Sequence, residues 1–162
     1  MPRYLVLFLA VCILFVSGCV STELRKLNVK PARVKKKPRQ IFMIITGYCD
    51  CKKCTGWRRN FLLKPVFARG RLRGKRKYVG ITADGTKAIK GIIAADTDYY
   101  PYGTIFFIPG YGFGVVHDTG SKIKGKYRLD LFFSSHEKAM EWGNQKMLIK
   151  LWRDDRARPE DR

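Results

Sequence analysis

From residue 41 onward, short apolar runs alternate with clusters of glycine, proline, lysine and aspartate, and few stretches carry the three-to-four-residue spacing of a helix. Ile41–Gly47 (IFMIITG) is apolar and β-branched, which predicts a buried first strand. Similar runs predict strands at 78–83, 92–96, 104–108, 113–117, 128–133 and 147–152. Turns are marked by Asp84-Gly85, by Pro101-Tyr102-Gly103 and by Pro109-Gly110-Tyr111-Gly112. In 128–133 strict alternation sets Leu129, Leu131 and Phe133 on one face and Arg128, Asp130 and Phe132 on the other. One helix is expected, capped from Ser134, with Ala139, Met140 and Trp142 as its apolar face and Gly143 as its stop. About seven short strands and one helix predict an all-β fold of small α content, closed into a small barrel.

The ends of the chain read differently. Met1–Arg3 is a short basic start, 4–15 is an apolar run too short for an ordinary spanning helix, and Val16-Ser17-Gly18-Cys19 follows with small residues before a cysteine. This resembles a bacterial lipoprotein signal, which implies cleavage after residue 18, lipid on Cys19 and attachment to a membrane. A plain secretory signal or a short membrane anchor is the alternative, and each of these readings exports the chain. Residues 19–40 are basic, contain Pro31 and Pro38 and lack apolar periodicity, so they read as a flexible tether. The expected order is signal 1–18, tether 19–40, one folded domain 41–152 and a polar tail 153–162.

Charge narrows the partners. With 33 Lys and Arg against 13 Asp and Glu, the formal charge is +20, which suits a polyanionic setting. For an exported chain that setting is anionic lipid or cell-wall polymer, and nucleic acid is not expected as a partner. Eleven of the basic residues lie between Lys52 and Lys77, with no acidic residue among them. That segment reads as a surface excursion which Trp57, Phe61, Leu62, Leu63, Val66 and Phe67 could anchor, or as one wall of a glycan groove with Trp57 as a stacking platform. Tyr99, Tyr100 and Tyr102 read as barrel packing and turn structure, with a grip on cell-wall glycan as the alternative.

Cysteines leave a question open. Without Cys12 and Cys19, the remaining three are Cys49, Cys51 and Cys54. Cys51-Lys52-Lys53-Cys54 has the spacing of a local disulfide or of half a zinc site, and free thiols are the third reading. Cys51–Cys54 is the disulfide candidate. His117 and His136 lie far along the chain, and no metal is assigned.

Between Leu24 and His136 the acidic residues are Asp50, Asp84, Asp96, Asp98, Asp118 and Asp130. Asp96, Asp118 and Asp130 sit at or inside apolar strands, whereas Asp50, Asp84 and Asp98 sit in turn-like contexts. Carboxylates gathered in a partly dry cleft oppose one another's ionisation, so one of them can stay protonated as a general acid.

The ordered set Thr46-Gly47-Tyr48-Cys49-x-Cys51-x-x-Cys54, Gly80-Ile81-Thr82-Ala83-x-Gly85-Thr86, Ala94-Ala95-Asp96, Pro101-x-Gly103-Thr104, Gly110-Tyr111-Gly112, Asp118-Thr119-Gly120-x-x-Ile123-Lys124-Gly125 and Asp130 resembles the three-aspartate (3D) domain over roughly 43–152. That family is similar to the catalytic domain of membrane-bound lytic transglycosylase A and to stationary-phase muralytic enzymes. The resemblance implies a six-stranded double-psi β-barrel and cleavage of the β-1,4 bond between N-acetylmuramic acid and N-acetylglucosamine with 1,6-anhydro ring closure. Asp130 would be the acid/base, with Asp118 and Asp96 completing the triad. Thr46, Tyr48, Gly103, Gly120 and Lys124 would contact substrate. No metal or cofactor is implied. The expected partner is peptidoglycan, for a monomer anchored in the cell envelope and facing the periplasm, the outer membrane being the weaker part of that expectation. An inverting glycoside hydrolase and a non-catalytic, expansin-like wall-binding module are the alternatives. Within the motif set, Ser121 stands where a second glycine is usual, and the run to Asp130 is one residue longer than usual.

Overall fold

The computed structural model describes Leu27 and residues 37–152. The signal segment 1–18, Cys19, most of the expected tether and the tail 153–162 lie outside the described residues. No helix among the described residues is long and apolar enough to cross a membrane.

In chain order the elements are β1 (Arg39–Tyr48), α1 (Lys52–Thr55), β2 (Trp57–Arg59), β3 (Pro65–Phe67), β4 (Ile92–Ala94), β5 (Ile105–Ile108), β6 (Gly112–Asp118), β7 (Arg128–Phe132), α2 (His136–Trp142) and β8 (Asn144–Trp152). Six strands close into a barrel in the order β1-β7-β4-β6-β5-β8, the mainly-β, six-stranded barrel expected. Pairings β1/β7 and β4/β6 are parallel and the others antiparallel. Closure leaves no free sheet edge in the barrel, so short strands can be stable.

Alternation decides which side chains fill it. Met43 and Ile45 of β1, Leu129 and Leu131 of β7, Phe106 and Ile108 of β5, and Ile149 of β8 are almost wholly buried in one cluster with Ile93, Tyr100, Tyr111 and Val116. Tyr111 is a polar strut within it: its hydroxyl accepts from the Gly91 amide at 2.9 Å and donates to the Phe132 carbonyl at 2.8 Å. Helix α2 covers β1. A Cβ on Gly47 would lie 2.9 Å from the Ala139 carbonyl oxygen and 3.0 Å from the Phe133 ring, so the residue at this crossing must lack a side chain.

Several expectations are corrected. No strand forms over 78–83; Gly80 takes a positive φ of 75° and Asp84-Gly85 closes a turn, leaving a single bridge between Ile81 and Lys87. The helix begins one residue later than expected, with Ser135 as cap accepting from the Lys138 amide. A short helix, α1, was not anticipated. The basic excursion contains a hairpin, β2/β3, anchored by buried Val66, whereas Phe61, Leu62 and Leu63 at its tip are exposed. Trp57 is half-buried, its indole N–H donates to the Asp50 carbonyl, and Lys52 lies over its ring. Of the expected tether, Arg39 and Gln40 already belong to β1, and Leu27 is buried against Ile105, Val115 and Trp152. Tyr100 is core, while Tyr99 and Tyr102 are exposed.

Candidate active site

Asp130 is brought to the barrel surface by the alternation of β7: its neighbours Leu129 and Leu131 point into the core, so its own side chain turns the other way. It stands opposite Thr46 of β1 in the parallel register, and the Thr46 hydroxyl donates to Asp130 Oδ1 at 2.8 Å. The carboxyl is partly buried. Burial pushes its pKa up; the Thr46 hydrogen bond and Arg128 pull it down, the Asp118 charge adds to the rise, and the result is about 6. A carboxyl at that value holds its proton through mildly acid conditions and can both give and take it.

Asp118 arrives by a different route. Strand β6 is one residue out of step with β4: Ile93 pairs with Val116, but Ala94 pairs with Asp118. The shift skips His117 and sets Asp118 beside Ala94, which on its other side pairs with Asp130. Three donors then hold Asp118. The Tyr48 hydroxyl donates to Oδ2 at 2.7 Å, and the Ala83 and Thr119 amides donate to Oδ1 at 2.9 Å each. Burial first, and the Asp118 charge second, raise the Tyr48 pKa, so the phenol keeps the proton it donates. Thr46 and Tyr48 are two apart on β1 and share a face, so one strand serves both carboxylates. As placed here, these two hydroxyls position the acids.

Asp96 is deeply buried just beyond β4, where its carboxylate holds a loop. Oδ2 accepts from the Gly125 amide at 2.8 Å, Oδ1 accepts from Asp98 N–H, and Lys124 Nζ lies 3.7 Å from Oδ1. The Gly125 amide above all keeps its pKa below the usual carboxylate range against its burial. Tyr100 adds a second tie, donating to the Lys126 carbonyl at 2.6 Å, and Ile123 is buried. The connection between Asp118 and Asp130 is thereby pinned along its length. Gly120 fits because a Cβ there would meet Ile123 at 2.8 Å. The Gly103 amide donates to the Val116 carbonyl.

Three features escaped the sequence reading. Asp84 does close a turn, accepting from Thr82 and Thr86, and it also pairs with His117 Nδ1. Burial opposes its charge, yet His117, Thr86 and Thr82 outweigh that and hold its pKa at about 2. The turn it closes carries the Ala83 amide that binds Asp118. Lys77, at the end of the basic excursion, is close enough to Asp118 for that charge to counter part of the lowering that burial imposes on its pKa. The pKa of Tyr102 is raised by burial and then by Asp84 and Asp118. Lys77 and Tyr102 therefore border the carboxylates.

A second polar cluster lies at the end of β1. Cys49, Cys51 and Cys54 are free thiols, so the candidate Cys51–Cys54 bridge is not formed, and His136, the first residue of α2, joins them. These four are the described residues able to hold a metal ion.

The family model of the 3D domain matches residues 91–153. The chain is 40% identical over 60 residues to YabE of Bacillus subtilis (strain 168), named as a candidate cell wall shaping protein, an alignment covering 37% of this chain and 14% of that protein. It is 34% identical over 76 residues to the cell wall-binding protein YocH of the same organism, covering 44% of this chain and 26% of that one. The chain thus spans a minor part of the curated relatives it matches. The match begins at Gly91, whereas the barrel takes its first strand, with Thr46 and Tyr48, from Arg39 onward. Residues 91–153 thus match the 3D domain, and that stretch contributes strands β4 to β8 of the closed barrel together with Asp96, Asp118 and Asp130.

Proposed function

We propose that the protein is a peptidoglycan lytic transglycosylase of the bacterial cell envelope, with Asp130 as its single acid/base. The observation that carries this reading is a partly buried carboxyl with a pKa of about 6, held by Thr46 beside an immobilised second carboxylate. Asp130 gives its proton to the glycosidic oxygen as the bond from muramoyl C1 breaks. It then takes the proton of the C6 hydroxyl as that oxygen bonds to C1, so the group ends as it began and the product is a 1,6-anhydro sugar. An intramolecular nucleophile needs no second base. Asp118, with its phenol and two amides, supports positive charge at C1. Asp96 keeps the intervening loop in place.

The hydrogen bonding weighs against an inverting hydrolase. That reaction requires a carboxylate free to take a proton from water. Asp118 already accepts three hydrogen bonds. A non-catalytic wall-binding role has one observation of its own: a relative named for cell wall binding. We assign the exposed basic residues of the excursion to contact with the anionic wall, and Cys19 to lipid attachment.

Purified sacculi incubated with the protein should release fragments ending in 1,6-anhydro-muramic acid. Reducing muramic acid ends would make it a hydrolase instead. Sedimentation with sacculi and no release of sugar would make it a binding module.

A further inference from the structure

Apart from the carboxylates, the side chains of Cys49, Cys51, Cys54 and His136 form a cluster with no part in the chemistry above. Their three sulfurs and the His136 ring nitrogen lie within 4.8 Å of one another. Cys49 Sγ is 3.7 Å from Cys54 Sγ, Cys51 Sγ is 3.6 Å from His136 Nδ1, and Cys54 Sγ is 3.4 Å from the same nitrogen. Around a tetrahedral zinc ion, with Zn–S near 2.3 Å and Zn–N near 2.0–2.1 Å, neighbouring sulfurs stand about 3.8 Å apart and sulfur and nitrogen about 3.6 Å. The three separations of 3.7, 3.6 and 3.4 Å lie close to these edges. A disulfide is a poorer account: Cys49 Sγ and Cys54 Sγ stand nearly twice the covalent S–S length of about 2.05 Å apart, and a bridge between any two of the three cysteines would leave a thiol and the imidazole without a role.

We propose that Cys49, Cys51, Cys54 and His136 bind one zinc ion in a closed, four-ligand structural site that joins the end of β1 to the start of α2. Three thiolates and one imidazole in a tetrahedron suit zinc among the common divalent ions, and four protein ligands leave no position for substrate. The backbone is already arranged for it. Cys51 caps α1 and its sulfur accepts from the Cys54 amide at 3.5 Å, a hydrogen bond that delocalises thiolate charge. Lys52 and Lys53 stand between the two sulfur ligands and offset the net negative charge of three thiolates around a divalent ion. Each ligating thiol releases its proton to solvent on binding. Cys49 directly follows Tyr48, whose hydroxyl holds Asp118, so the ion would also fix the strand end that serves the carboxylates.

The test uses the full-length chain purified under reducing conditions. It should carry one zinc per chain by elemental analysis. Replacement by cobalt should give intense thiolate-to-metal charge-transfer bands together with the visible bands of tetrahedral cobalt. His136→Cys should retain the ion and the tetrahedral spectrum. Cys51→Ser combined with Cys54→Ser should lower zinc affinity by more than the roughly 10–100-fold that loss of an outer-shell partner costs. Asp130→Asn should bind zinc as the unchanged chain does, which separates this site from the proposed catalysis. Substoichiometric zinc in the reduced chain after equilibration with equimolar zinc would overturn the proposal. So would an octahedral cobalt spectrum, or undiminished affinity in the double serine variant; the cobalt spectrum of the unchanged chain decides even where a variant does not fold.

Discussion

Asp118 and Asp130 face the same residue from opposite sides: Ala94 of β4 pairs with Asp118 in the parallel direction and with Asp130 in the antiparallel one. Adjacent strands lie about 4.8 Å apart, so the two backbones are held roughly 10 Å from each other by three hydrogen-bonded strands. The pair is therefore set by the sheet, with the loop between its members secured separately by Asp96 and Tyr100.

Asp130→Asn removes the only proton carrier in the proposed reaction. Release of anhydro-sugar from sacculi should fall by about 10²–10⁴-fold, the usual contribution of a positioned acid/base. Sedimentation with sacculi should be unchanged.

The same substitution should stabilise the fold near neutral pH. The carboxyl pKa rises from 3.8 unfolded to about 6 folded, so folding takes up a proton between those values. The stabilising contribution is complete below the unfolded value and is lost as pH rises through about 6. Relative to asparagine, which never ionises, the native aspartate then costs at most about 3 kcal/mol above pH 6. Thermal melts of both proteins should converge below pH 4 and diverge above pH 6, with Asp130→Asn the higher. Activity should follow the protonated form and decline over the same upper range.

Tyr48→Phe deletes one of the three donors on Asp118. The carboxylate loses a hydrogen bond in a part-buried setting, a change of about 1–3 kcal/mol in stability. Denaturant titration should record that loss, and turnover should drop while zinc content stays constant.

Gly47→Ala places a methyl 2.9 Å from the Ala139 carbonyl and against the Phe133 ring. Helix α2 must then lift from β1, at about 1–3 kcal/mol by the usual cost of overpacking. Urea unfolding should show a lower midpoint. The Gly110→Ala change should not show this effect through packing, because its nearest neighbour, the Trp142 ring, is 3.6 Å away, although its φ of 78° adds backbone strain.

The barrel could be read from the sequence because its strands alternate cleanly around Ile45, Leu129, Leu131 and Ile149. Asp130 could be read for the same reason, as the acidic residue between the buried Leu129 and Leu131. Asp118 was legible as a residue but not as a position, since its orientation depends on a register shift that no local pattern encodes. The run 78–83 looked like a strand by composition, yet its backbone bends at Gly80 to bring the Ala83 amide onto Asp118, so a tertiary hydrogen bond outweighed β propensity. His136 was too distant in the chain to be grouped with the cysteines until α2 packed over Gly47. Lys77 was hidden among its basic neighbours, which share its charge and differ only in where the hairpin carries them.

The closure of the barrel also dictates when the site becomes rigid. Thr46 and Asp130 meet across a separation of 84 positions, and β8, the last strand among the described residues, completes the barrel by pairing with both β1 and β5. Contacts so remote in sequence form late and slowly. A chain still being synthesised, or one cut short of β8, holds every residue of the carboxylate pair on strands that can pair with one another, but on a sheet left open between β5 and β1, so the strand that seals the barrel is also the one that makes the site rigid.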